Sequence, residues 1–232
     1  MNRTFGVSAA ATLTAACAVL VGIGIVSSEQ PQKLDAKHYV EDVTLAREET
    51  VQRVGGDVSS PRDWLPSRLH TGPDGERFSL SDRVIRGHVI DVRPGHGFLT
   101  TDQDGAQTVQ VSFSDDRAHW MTVHIDVEVR ETIAGASSPS IQTIGLAITP
   151  QVNFEAYKDG LMQVTDAVWF LDNSSSVFAY DPSVAALTWD GAGMLPVDGG
   201  RLSAPAFGPE EAQFLAGVET VDDLASAAVP QR

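Results

Sequence analysis

Residues 120–133 read WMTVHIDVEVRETI, and the period of this stretch decides the fold class. Met121, Val123, Ile125, Val127, Val129 and Ile133 fall on one face of an extended chain, with Thr122, His124, Asp126, Glu128 and Arg130 on the other. Successive side chains of a strand point to opposite faces, so this alternation predicts a long strand with one buried side and one solvated side.

The flanks carry the same signal in shorter pieces. Upstream, residues 82–93 (DRVIRGHVIDVR) are rich in β-branched side chains and end at Pro94-Gly95, which reads as a strand followed by a turn. Residues 107–113 alternate so as to place Val109, Val111 and Phe113 inward, and Asp104-Gly105 before them has the residues of a tight hairpin. Downstream, residues 141–148 form a strand stopped by Pro150, because proline cannot donate to a ladder. Asn153 then suits the N-cap of a helix on which Phe154, Tyr157 and Leu161 share a face, shortened by Asp159-Gly160. The run AVWFL at 167–171 is continuous and apolar, as a central strand is. Strands at 177–180, 185–189 and 194–197 follow, separated by the turn residues Asp181-Pro182, Asp190-Gly191 and Asp198-Gly199-Gly200.

Near the carboxyl end the period changes. Pro209, Glu210 and Glu211 suit a helix start, Ala212, Phe214 and Leu215 give it an apolar side, and Gly217 ends it. Thr220, followed by Asp222 and Asp223, caps a last helix through Ala228. Short strands joined by turns, one intervening helix and no βαβ alternation predict a mainly β domain, a single antiparallel barrel or sandwich with a short helical tail.

Residues 5–26, FGVSAAATLTAACAVLVGIGIV, carry no charge. At a rise of about 1.5 Å per residue they span the roughly 30 Å hydrocarbon layer, and a lone spanning segment must be helical to satisfy its amides. Three readings compete: a retained transmembrane anchor, a secretory signal cleaved near Ser28, and a lipoprotein signal acylated at Cys17. Secretory apolar regions run to about 15 residues, so the length favours the anchor. Arg3 ahead of the span favours a cytoplasmic tail and an exported domain. The expected organisation is an anchor at 1–28, a tether at 29–75, a β-domain at 76–205 and a helical tail at 206–232. The tether holds Pro31, Pro61, Pro66, Pro73 and Gly55-Gly56, with a candidate helix at 33–54, and Trp64 and Leu65 are expected to dock its end on the domain.

Composition removes whole classes of function. Sixteen Lys and Arg against thirty-one Asp and Glu give a net charge of -15, the wrong sign for holding nucleic acid or for a polybasic grip on anionic lipid. The expected partners are the membrane, through residues 5–26, and a protein or cell-envelope component. With Cys17 as the one cysteine, an intramolecular disulfide, a CxxC redox pair and a thiolate zinc knuckle are excluded within the chain.

The candidate chemistry is thin. His88, His96, His119 and His124 share one stretch with Asp91, Asp102, Asp104, Asp115, Asp116 and Asp126. His124 and Asp126 project from one strand face and His88 joins them if the two strands pair, a nitrogen and oxygen set that zinc accepts. No HExxH spacing fixes that geometry, and a solvated strand face explains the same residues. Thr100, Asp102, Asp104 and Gly105 have the alternation of a calcium loop, but Val111 stands where its bidentate Glu belongs. Gly95-His96-Gly97 lacks the third glycine of a phosphate cradle. GxSxG and SxxK are absent. Trp120, Trp169, Phe170 and Trp189 offer a carbohydrate platform or, more simply, core packing. No catalytic, cofactor-binding or metal residue is therefore assigned.

The runs DRVIRGHV at 82–89, VHIDVEVRETIAG at 123–135 and VWFLD at 168–172 resemble a recurrent uncharacterised class of exported bacterial β-barrel domains. They are similar, more faintly, to the OB-type barrel of netrin and metalloproteinase-inhibitor modules. The resemblance covers residues 82–202 and implies an OB-like barrel. Inhibitor chemistry is not implied, since the cysteines of that pattern are missing. The expected function is a membrane-tethered extracytoplasmic β-domain that binds a partner without catalysis. The alternatives are an exported hydrolase or metal-binding enzyme using His88, His124 and Asp126, and a structural accessory subunit of a membrane complex.

Overall fold

The computed structural model describes residues 59–72, 75–100, 108–150, 152–172, 183–187 and 193–229. They are mainly β. Strands β1 (His70–Thr71) and β2 (Arg77–Phe78) pair as a small ribbon. Eight more build one sheet: β3 (Arg83–Thr100), β4 (Thr108–Ser112), β5 (Trp120–Gly135), β6 (Ile141–Ile148), β7 (Ala167–Asp172), β8 (Val184–Leu187), β9 (Met194–Asp198) and β10 (Arg201–Leu202). Their order is β10-β9-β7-β8-β6-β5-β3-β4, and β7 also pairs with β3. Helix α1 (Phe154–Leu161) separates β6 from β7, while α2 (Glu211–Phe214) and α3 (Val221–Ala228) follow β10.

Several local expectations have a visible cause. The Asn153 side chain accepts from the amide of Ala156 and starts α1. Asp198 pairs with Arg201 across Gly199 and Gly200, whose φ of 56° and 84° are what a two-residue primed hairpin requires. Thr220 and Asp223 form a reciprocal capping box at the start of α3.

Other expectations are corrected. The sheet is mixed rather than antiparallel, because α1 and β7 return the chain so that β8 lies parallel to β6, Ile144 beside Ala185. Pro94-Gly95 is not a turn. The strand runs on through it to Thr100: Pro94 faces Val123, Gly97 faces Met121, and Gly95 with His96 together face the single residue Thr122. Such a bulge needs no amide from proline. A Cβ on residue 95 would collide with the Thr122 hydroxyl, so glycine is what lets the strands approach there.

A second irregularity moves Ile133. Gly87 faces Val129 and Arg86 faces Glu131, leaving Arg130 as an extra residue that inverts the alternation. Val129 packs on one core and Ile133 on the other. Val109 is 46% exposed rather than inward. It lies towards the tip of the β3–β4 hairpin, whereas Val111 and Phe113 at the hairpin's base reach the core.

Two cores share β7. Ala167, Trp169 and Leu171 join Ile85, Ile125 and Ile144 in the first. Val168 and Phe170 face the other way, into a second core closed by Trp64, Leu65, Phe207, Phe214 and Leu224. Trp64 meets Phe170 edge-on with ring centroids 5.1 Å apart, and Phe207 stacks on Phe214 at 3.6 Å. Ser60 caps the 3-10 turn Pro61–Trp64 that delivers this tryptophan.

The expected membrane span, the candidate helix at 33–54, the Asp104-Gly105 turn and the strand at 177–180 lie outside the described residues. No helix among the described residues is long and apolar enough to cross a membrane.

Trp64 has no exposed surface. Trp64→Ala should therefore lower unfolding free energy by about 3–5 kcal/mol, measured by urea denaturation followed by circular dichroism.

Candidate functional site

The outer face of β3, β5 and β6 carries the polar residues singled out in the sequence, and the registers place them in rows. His88 lies beside Glu128 and then Ile141; Asp91 beside Asp126 and then Thr143; Arg93 beside His124 and then Gly145. The Gly95-His96 bulge covers the next position, Thr122, whose hydroxyl accepts from the His96 amide at 2.9 Å.

This face is not solvated throughout, as the sequence led us to expect. Thr122 is fully buried and His124 is 5% exposed, because the bulge folds over both. Below them Asp91 and Glu128 remain largely exposed. The covering segment comes from the part of β3 that reads locally as a turn.

Arg93 organises the buried part. Its Nη1 donates to His124 Nδ1 at 2.9 Å, and its Nη2 reaches Asp126 Oδ1 at 3.2 Å. The Thr143 hydroxyl donates to the same Asp126 oxygen at 2.7 Å. Arginine has no acceptor, so His124 Nδ1 must supply the lone pair and the neutral ring carries its proton on Nε2. The network thereby ties three strands together and fixes one histidine tautomer. His124 Nδ1 and Asp126 Oδ1 are thus both engaged by protein donors, an arrangement that braces the face.

His124 and Asp126 are brought together. His88 is not with them: on β3 it faces Glu128, which is four residues along β5 from His124, about 13 Å by strand rise, and two from Asp126, and its Nε2 lies 3.4 Å from a Glu128 oxygen. Among the described residues, no group of three or more His, Cys, Asp or Glu side chains is close enough to hold a metal ion. Asp102, Asp104, Trp189 and Cys17 lie outside the described residues. Trp169 and Phe170 occupy different cores, and Trp120 stacks on Phe98 at 3.9 Å with 6% exposure, so these rings form no common platform.

Two further acids have arginine partners, Asp115 inside the histidine-rich stretch and Asp166 outside it. Asp115 accepts from the Arg117 side chain at 2.7 and 2.9 Å and from its amide, which holds the Asp115 carboxyl down to about 2. Asp166, unremarked in the sequence, receives a forked contact from Arg86 and lies 3.5 Å from Arg130. That hydrogen bonding raises the Arg86 guanidinium above its ordinary value. Arg93 and Thr143 were not legible as partners of Asp126, since their only sequence signal is alternation on neighbouring strands and the bulge shifts the phase; Asp166, in a bend just ahead of β7, carried no such signal.

Comparison with protein-family models, with curated proteins and with solved structures gives no match.

Replacing Arg93 with Ala should release the His124 tautomer. Nitrogen-15 shifts of wild-type protein above the histidine titration should show an unprotonated Nδ1, and the variant a mixture. Asp115 should titrate near pH 2 by carboxyl NMR. With a lowered folded pKa, its stabilising contribution is present above the unfolded value of about 3.9 and disappears as pH falls through the folded one. Arg117→Ala should return the midpoint to the ordinary carboxylate range.

Proposed function

We propose that this chain is a membrane-tethered extracytoplasmic binding module, held by residues 5–26 and presenting an OB-type barrel to a protein or cell-envelope partner, without catalysis of its own. The barrel reading is supported by the ladders: β3 pairs with β5, β5 with β6, β6 with β8, β8 with β7, and β7 again with β3. That circuit has one parallel pair and places a helix between its third and fourth strands in sequence, as OB-type barrels do.

The observation that carries the tethering is Trp64. The chain arriving from the uncharged segment is gripped by a fully buried tryptophan, a capped turn and the adjacent buried Leu65. A domain held from its amino-terminal side needs a firm attachment there. The acidic excess and the braced face of Arg93, His124 and Asp126 suit recognition better than turnover, because the polar groups are tied to one another.

Cell fractionation tests the reading. The full chain should stay in the membrane pellet after an alkaline carbonate wash, and deletion of residues 5–26 should release it. Protease added outside intact spheroplasts should digest the domain; a domain protected until the membrane is broken would sink the proposal. Crosslinking in native membranes should also recover one dominant partner.

A further inference from the structure

A cleft of about 480 Å³ opens between the 3-10 turn with the segment that follows it and one side of α3. Arg62, Ser67 and Arg68 line one wall, and Gly217, Asp223 and Ser226 are on the other. We infer that this cleft binds a phosphate-class oxyanion, gripped by the two guanidinium groups and the two serine hydroxyls.

The charge pattern is the first reason. In a chain with an excess of acids, most described cations sit against a carboxylate: Arg86 and Arg130 on Asp166, Arg93 on Asp126, Arg117 on Asp115, Lys158 near Asp91 and Arg201 on Glu219. Arg62 and Arg68 have no ion pair within 4.0 Å among the described residues and converge on one cleft. Asp223, the carboxylate that shares the cleft, is held below its ordinary value by the Thr220 hydrogen bond and also by the charge of Arg62, but it turns one oxygen to the start of α3. Its Oδ2 accepts from the amides of Glu219 and Thr220 and from the Thr220 hydroxyl.

Rigidity is the second reason. Each wall begins at a capping box, Ser60 with Asp63 and Thr220 with Asp223. Arg62 is further held by its Nη2 donating to the Gly217 carbonyl at 2.5 Å. Donors fixed in place before binding lose little freedom on it. A guanidinium fork matches two oxygens of a tetrahedral anion, and hydroxyls complete the shell. The net charge of the molecule opposes any anion, but at physiological salt the screening length is about 8 Å, so the nearest cations dominate. The same chemistry is offered by a soluble phosphate ester and by a phospholipid headgroup.

The test uses the full chain in nonionic micelles, with inorganic phosphate and dihexanoyl-phosphatidylglycerol titrated separately by calorimetry. Saturable binding of at least one is expected, weakened about tenfold or more by Arg68→Gln, whose side chain makes no hydrogen bond among the described residues. Arg77→Gln, a change on β2 away from the cleft, should leave binding unchanged. Tighter binding of the lipid assigns the headgroup as the source; equal or tighter binding of phosphate assigns a soluble ester. No saturable binding by either probe, or equal loss in both variants, overturns the inference. Neither outcome bears on tethering, which fractionation decides on its own.

Discussion

Strand β7 has no solvent side. Alternate residues of Ala167–Asp172 enter opposite cores, Trp169 into one and Phe170 into the other, and the backbone between them pairs with β3, β8 and β9. A strand buried on both faces must be apolar along its buried length, which is why Ala167 to Leu171 show no alternation and the first polar residue, Asp172, comes where burial ends. It also makes the two cores interdependent. The second core gives the amino-terminal turn and the carboxyl-terminal helices a surface to cover, and their cover keeps Val168 and Phe170 out of water. Every other part of the sheet is placed relative to this shared strand.

The open part of the sheet follows by difference. Residues from both ends of the described chain occupy the outside of β7 and the neighbouring half of β3. The outer face of β5 and the remainder of β3 is left largely to polar side chains, and β6 adds Thr143 between Ile141 and Gly145. There the structure uses a bulge in place of a covering helix. Two residues of β3 against one of β5 shield Thr122 and His124, and Arg93 ties what lies beneath to the next strand. Thus one glycine separates an ordinary wet strand face from a braced polar one.

How much of this was legible depended on the range of the cause. At several places where the chemistry is local, the sequence reading and the structure coincide. The alternation of β5, the cap at Asn153, the paired glycines after Asp198 and the Thr220 cap each need only residues within a few positions. The misreadings share a different origin. Pro94-Gly95 has the composition of a turn, and only the partner strand makes it a bulge. The inversion at Arg130, the parallel β6–β8 pair and the burial of His124 likewise depend on what comes to lie alongside. The Arg93 network failed for the same reason, since its members come from three strands whose register no single stretch contains. His88 and His124 were near in sequence pattern yet separated along the ladder by four residues.

The burial of Trp64 bears on how the molecule carries mechanical load. Tension reaching the domain from its amino-terminal side meets aromatic packing against Phe170, Phe207 and Phe214 before it meets any ladder of the large sheet. Such packing gives way by losing contact area, whereas the ladders behind it are held by hydrogen bonds. Under a pull the tryptophan therefore takes the load ahead of the strands.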